Sequence, residues 1–308
     1  MQPNDLAELN AHFALPKHIS FTEGPGGLAV ADIKNTHAAV RVALQGGQVV
    51  SYQPHGAEPV LFVSGLAGYA TGKAIRGGIP VCWPWFGPHP TDATKPQHGF
   101  ARTLEWSVSS TQVIEGGATK LQLVLVDNEH TRTLWPYSFE LLLNVTVGPE
   151  LQVELVTRNL GAEDFSCGSA LHSYFAVSDI AGITIDGLSG CTYIDKTAGG
   201  DRKLQPGPVT IDAETDRIYL DTAGSCMIED PAWQRRIHIT AAGSRSTVVW
   251  NPWQAAAQRM SDFGDEEYRS MVCVETANAG PDVRTVPTGG EHRLSTRIAV
   301  EHDHPVKG

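Results

Sequence analysis

Lys120-Leu121-Gln122-Leu123-Val124-Leu125 and Leu151-Gln152-Val153-Glu154-Leu155-Val156 alternate polar and apolar side chains over their first residues and end in apolar ones. That is the period of a strand with one face in a core and the other in water. Gln48-Val49-Val50-Ser51-Tyr52 and Ile183-Thr184-Ile185 repeat the pattern on either side. Between such runs stand Gly46-Gly47, Pro54-His55-Gly56, Glu115-Gly116-Gly117 and Gly148-Pro149, the punctuation of hairpins. Helical periodicity is sparse: one short stretch around Ala255–Met260, and another at Leu6–Asn10 with Asp5 as its cap. Strands do not alternate with long helices, and no glycine-rich phosphate loop is present, so a doubly wound nucleotide-binding sheet is disfavoured. The expectation is an all-β chain, a large antiparallel structure with few short helices.

Length fits one domain, because β sandwiches and barrels often exceed the usual domain size as single units. We expect residues 1–308 to form it, with about 1–20 as an N-terminal extension and about 301–308 as a flexible tail. The His302-Asp303-His304 run in that tail reads as solvated rather than metal-binding.

A formal net charge of -11, with lysines and arginines scattered singly, offers no basic stripe for nucleic acid. A phosphorylated small molecule is not excluded, since two or three converging arginines set the local field. The N-terminus lacks a basic, apolar leader, and no apolar stretch is long enough to cross a bilayer, so we expect a cytoplasmic protein that is a monomer without membrane partners. Cys82, Cys167, Cys191, Cys226 and Cys273 are odd in number and form no CxxC pair. They read as incidental thiols rather than disulfides or a zinc site.

Five segments carry chemistry. Lys73–Pro88 combines Arg76 with Trp83, Trp85 and Phe86 among glycines and prolines, a rigid floor whose flat faces suit a sugar ring and whose arginine suits hydroxyls or phosphate. A packed corner with Arg76 in a surface ion pair is an equal reading. In Pro96–Arg102, Gly99 lets the backbone pass close behind His98, and strand-like spacing would turn His98 and Arg102 toward one cavity. His172 lies inside the apolar run Ala170–Phe175, where a lone histidine is more often a hydrogen-bonded core residue. Thr247–Trp253 offers Trp250 as a further aromatic platform. Glu275 interrupts the apolar strand Val272–Asn278, and a carboxylate among valines is costly unless paired or protonated. A general base and a structural buried glutamate are comparable readings of that residue alone. Together, two histidines, two arginines, aromatic platforms and an embedded glutamate are the parts that proton transfer on a carbohydrate needs, with no metal or cofactor.

In this order, Arg-Gly-Gly-Ile-Pro, Gln-His-Gly-Phe-Ala-Arg, Leu-His-Ser-Tyr-Phe, Trp-Asn-Pro-Trp and Val-Glu-Thr-Ala-Asn resemble the D-hexose-6-phosphate mutarotases, within the aldose 1-epimerase superfamily, over roughly residues 40–300. The resemblance implies a galactose-mutarotase-like antiparallel β-sandwich and a sugar 1-epimerase of hexose 6-phosphates. It implies Glu275 as the base at the anomeric hydroxyl and His172 as the acid at the ring oxygen, the two at opposite edges of one pyranose. It also implies Arg76, His98, Arg102 and Asp216 as substrate-binding residues, with Lys73 and Trp250 beside them. After Trp-Asn-Pro-Trp such proteins commonly carry a lysine where this chain reads Gln254-Ala255-Ala256-Ala257-Gln258, so the phosphate contacts would come from Arg76, Lys73 and Arg102. The competing expectations are a 1-epimerase of free glucose or galactose and a non-catalytic sugar-binding module. A glycoside hydrolase would need a second carboxylate, for which Asp216 is the candidate.

Overall fold

A computed structural model describes residues 5–302. The alternating runs are strands, Thr119–Val126 and Leu151–Asn159 among them, and the chain is antiparallel β throughout its paired strands. One eight-stranded sheet runs, in spatial order, through strands at 184–186, 225–230, 235–242, 291–302, 151–159, 139–147, 119–126 and 107–113. Its central strands bury every second residue and leave the alternate face half-exposed except at its centre, where Asn144 and Val156 are buried too. A second eight-stranded sheet runs through 201–204, 192–195, 215–220, 246–251, 271–278, 169–171 and 81–82, with 174–176 also paired to 271–278. A four-stranded sheet at 19–54 and a two-stranded one pairing 165–167 with 284–286 complete the set. The few-helix expectation also holds, with helices at Leu6–Phe13, Glu129–Leu134 and Trp253–Ala257.

Leu121, Leu123, Leu141, Leu143, Val153 and Leu155 from the first sheet share one buried cluster with Val249, Val272 and Val274 from the second. Full burial of each such side chain is worth about 1.5–3 kcal/mol, so this layer is the principal source of stability. Its orientation also decides what the second sheet's other face can hold. With Val272 and Val274 committed to the core, Cys273, Glu275 and Ala277 point the opposite way, and the whole strand Met271–Asn278 is buried.

The N-terminal helix is capped by Asp5, whose carboxylate accepts from the Ala7 and Glu8 amides. It is docked by Asn10, which exchanges two hydrogen bonds with the Phe21 backbone. At the other end, the strand Glu291–His302 carries regular pairing up to His302 opposite Arg235. Asp303 and His304 lie outside the described residues. Cys82, Cys167, Cys226 and Cys273 are buried, Cys191 is partly so, and all five are free thiols.

Candidate active site

Register places the chemistry-bearing side chains. Asp216 pairs with Trp250, and Trp250 with Cys273, in one row across three strands; Ile218, Val248 and Glu275 form the next. On the far side of Glu275, Leu171 pairs with Thr276 and Tyr174 with Cys273. The same register sets His172 opposite Glu275, but the ladder lapses there. The His172 amide donates to the Pro80 carbonyl at 3.0 Å, and the Ser173 amide turns back to Leu171 at 2.9 Å. This kink puts the imidazole against the carboxylate, with His172 Nε2 3.3 Å from Glu275 Oε1.

Both groups are nearly dry, at 9% and 1% side-chain exposure. Burial holds the Glu275 carboxyl well above the ordinary carboxylate range, and nearby Asp216 adds to this, while Lys196 and Arg102 pull back. Burial pushes His172 well below the ordinary imidazole range, helped by His98, Arg102 and Arg76. Each shift disfavours charge, so burial favours the neutral form of the pair, whose titration is shared between two atoms in contact. Glu275 Oε2 and His172 Nδ1 have no hydrogen-bond partner among the described residues. Unpaired polar atoms at that depth are costly in a purely structural cluster.

These residues floor a cleft of about 260 Å³ whose walls include Arg76, Phe86, His98, Lys196, Asp216 and Trp250. Of the aromatic platform expected from Lys73–Pro88, only Phe86 reaches it. Trp83 and Trp85 face the other way, in the main core at 0% and 5% exposure, where their large apolar area is better satisfied. Trp250 lines the cleft as expected and meets Tyr174 edge-on. Asn251 beside it is structural: its amide donates to the Tyr268 and Met271 carbonyls, and its oxygen accepts from Trp253 N–H.

His98 faces the cleft, but Arg102 does not line it. Strand-like spacing failed here because His98 and Gly99 both take positive φ, 63° and 71°, which breaks the alternation. A Cβ on Gly99 would lie 1.9 Å from the Trp83 carbonyl oxygen, so only glycine allows the chain through. Arg102 instead donates to the Gln97 carbonyl at 2.8 Å and acts on the histidines through its charge. Burial first, then Arg102, Lys196 and Arg76, lowers the His98 imidazole to about 3. Its Nδ1 accepts from the Gly87 amide at 3.3 Å, which leaves Nε2–H as the donor.

Arg76 marks the other end of the cleft. Its Nε and Nη2 fork onto Asp262, and its Nη1 donates to the Tyr174 hydroxyl, all at 3.2 Å. Beyond Arg76 opens a second recess of about 500 Å³, lined by Lys73, Arg76, Arg259, Met260, Ser261 and Asp262 among others. Arg76 and Met260 are shared walls. Lys73 therefore belongs to this recess and not to the cleft. Arg259, Asp262, Tyr174 and Lys196 are the site residues that sequence reasoning missed. Lys196 holds Asp216 at 2.8 Å, and Asp216 lines the cleft as expected.

His172, Cys273 and Glu275 bring one potential ligand atom each within 4.8 Å of one another. Burial and the neighbouring carboxylate hold the Cys273 thiol well above its usual range. A thiol that keeps its proton is a poor metal ligand.

Residues 30–299 match the family model described as "Aldose 1-epimerase". The chain is 40% identical over 259 residues to an Escherichia coli protein named "Putative glucose-6-phosphate 1-epimerase", covering 83% of this chain and 86% of that one. A protein of the same name from Cenchrus ciliaris is 35% identical over 279 residues, covering 87% and 84%. The crystal structure of a "putative mutarotase" from Salmonella typhimurium superposes with a TM-score of 0.87 at 33% identity, over 96% of this chain and 99% of that one.

Proposed function

The chain belongs to the aldose 1-epimerase family and is an isomerase, and from that premise we propose that it interconverts the α and β anomers of glucose 6-phosphate. The observation that carries the mechanism is the His172–Glu275 contact on the cleft floor. The anomeric hydroxyl oxygen and the ring oxygen are bonded to the same carbon, so the groups that serve them must be neighbours. We therefore read the acid and base, expected at opposite edges of the pyranose, as an adjacent pair that would meet O1 and O5 together.

Ring opening requires one group to take the O1–H proton while the C1–O5 electron pair leaves onto O5, which takes a proton from the other. We assign the first role to Glu275 and the second to His172. The carboxylate–imidazolium pair this needs is one proton hop, across 3.3 Å, from the neutral pair that burial favours. The open-chain aldehyde then turns about C1–C2, and closure runs the transfers in reverse, so the pair ends with the proton it began with. His98, held neutral with Nε2–H toward the cleft, donates to the ring oxygen or a neighbouring hydroxyl. The Asp216 carboxylate accepts from sugar hydroxyls while Lys196 holds it in place.

Preference for the 6-phosphate is supported by charge. The recess behind Arg76 gathers Lys73, Arg76 and Arg259 against the single carboxylate Asp262, in a protein whose net charge is -11. Arg259 stands in the region where the lysine of the resemblance is missing. Its guanidinium and the Lys73 ammonium have no ion-pair partner among the described residues, and their charges would meet a dianion. Two-dimensional exchange NMR on glucose 6-phosphate and on glucose, with one preparation, tests this. Exchange between anomers should accelerate more for the phosphate ester, and the reverse ranking would transfer the reading to free aldoses.

A further inference from the structure

Tyr174 touches both halves of the site. Its ring lies nearly parallel to the His172 imidazole, with centroids 4.8 Å and planes 13° apart, while its hydroxyl oxygen accepts from Arg76 Nη1 at 3.2 Å. The ring itself cannot swing. It is 2% exposed, packs in a buried cluster with Phe263, Tyr268 and Met271, and meets Trp250 edge-on at 5.9 Å. Its backbone is laddered to Cys273.

His172 is the opposite case. A reactive imidazole is usually aimed by a hydrogen bond to its second nitrogen, yet His172 Nδ1 has no partner among the described residues. Beyond the Nε2 contact with Glu275, its orientation comes from the faces packed on it, and among its ring contacts Tyr174 supplies the parallel face, while His98 and Trp250 meet it at steep angles. Arg76, for its part, uses Nε and Nη2 on Asp262 and reserves Nη1 for Tyr174. An incoming phosphate can take over the fork from Asp262 without breaking the tyrosine link.

We infer that Tyr174 is a positioning residue: its ring sets the plane of the His172 imidazole, and its hydroxyl ties that plane to the arginine that receives the substrate's anionic group. This rests on the anomer-exchange reading above and extends it, because it joins recognition of the phosphate to the geometry of proton transfer.

Two substitutions separate the ring from the hydroxyl. Tyr174→Phe keeps the stack and removes the bond to a charged donor. It should lower kcat/KM for glucose 6-phosphate by ~10-fold, chiefly through KM, with a much smaller effect on glucose. Tyr174→Leu removes the stack, and a displaced acid should cost up to ~100-fold in kcat for both sugars. Proton NMR of the His172 ring gives a readout that general loosening does not mimic: the ring-current shift should persist in Tyr174→Phe and vanish in Tyr174→Leu. The inference is overturned if both variants keep kcat and KM within twofold of the parent, or if Tyr174→Phe weakens both sugars equally. Should Tyr174→Leu fail to fold, the Tyr174→Phe comparison still decides. A parent enzyme without anomer exchange would instead sink the functional reading, and the ring-current comparison would then judge the positioning alone.

Discussion

His172 stands opposite Glu275 by register, yet the backbone ladder between their strands shrinks to one bond there, from Val274 N–H to the Ser173 carbonyl at 3.3 Å. The paired strands on either side fix the separation of the two side chains, while the lapse lets the histidine strand kink. A rigid frame thus surrounds the place where the proposed proton transfer would occur.

Removing either member of the pair should abolish most of the rate. Glu275→Gln and His172→Asn are expected to slow anomer exchange by ~10²–10⁴-fold each, read by exchange NMR, with far less than additive loss in the double variant. Because Glu275→Gln removes a buried ionisable group without changing its shape, thermal unfolding should be little altered. Retention of full exchange in either single variant would remove the pair from the mechanism.

The pH profile of kcat/KM should be a bell for the pair as a unit. The active form holds one proton. Adding a second protonates His172, whose affinity burial lowers, so the acid limb lies below 6.5. Removing the last takes it from Glu275, whose affinity burial and Asp216 raise, so the alkaline limb lies above 4.5. An acid limb centred above 6.5 would contradict a desolvated His172.

His98 should stay neutral in acid. Nitrogen-15 NMR is expected to show the Nε2–H tautomer with titration near pH 3. The sign for stability follows. Between about 3 and 6.5 the unfolded chain binds a proton at this position that the folded chain does not, so stability is full above 6.5 and falls as pH drops toward 3. Arg76, Arg102 and Lys196 crowd it with positive charge, and replacing His98 by Gln should flatten that part of the curve.

Lys73→Ala and Arg259→Ala should each raise KM for glucose 6-phosphate by ~2–5-fold, the range for exposed charge pairs, and added salt should shrink the difference. KM for glucose should not respond. Equal effects on the two sugars would move the phosphate away from this recess.

Gly99→Ala should destabilise the fold by at least ~2 kcal/mol, since φ is +71° and the added carbon collides with the Trp83 carbonyl. Phe100 and Ala101 amides bind that same carbonyl, so the backbone cannot retreat cheaply. Surviving protein should retain weakened exchange because His98 is misplaced. Thermal unfolding and the NMR assay together check this.

The strands were legible because each alternating run reports its own buried face, and Leu121 and Leu155 need no distant partner to declare it. His172 and Glu275 were legible for a related reason: each breaks an apolar run, and such a break demands a chemical explanation. What local pattern could not reveal is direction at irregular backbone. Trp83, Trp85 and Arg102 lie where glycines and prolines suspend the strand period, and all three turned away from the cleft. Arg259 and Asp262 lie beyond the helix Trp253–Ala257, Arg259 within the stretch read as helical up to Met260, and no local pattern aims either of them at the site. Their importance comes from facing Arg76, which is 186 positions from Asp262 in the chain.

Glu275 rides on a paired strand inside a sheet and His172 on the kink beside it, whereas Arg76, Phe86, His98 and Arg259 come from loops entering from elsewhere. Such a division of labour lets evolution redraw the guest list without rewiring the machinery. Rim segments can be lengthened, recharged or exchanged to admit another sugar, and the sheet beneath them keeps its dimensions.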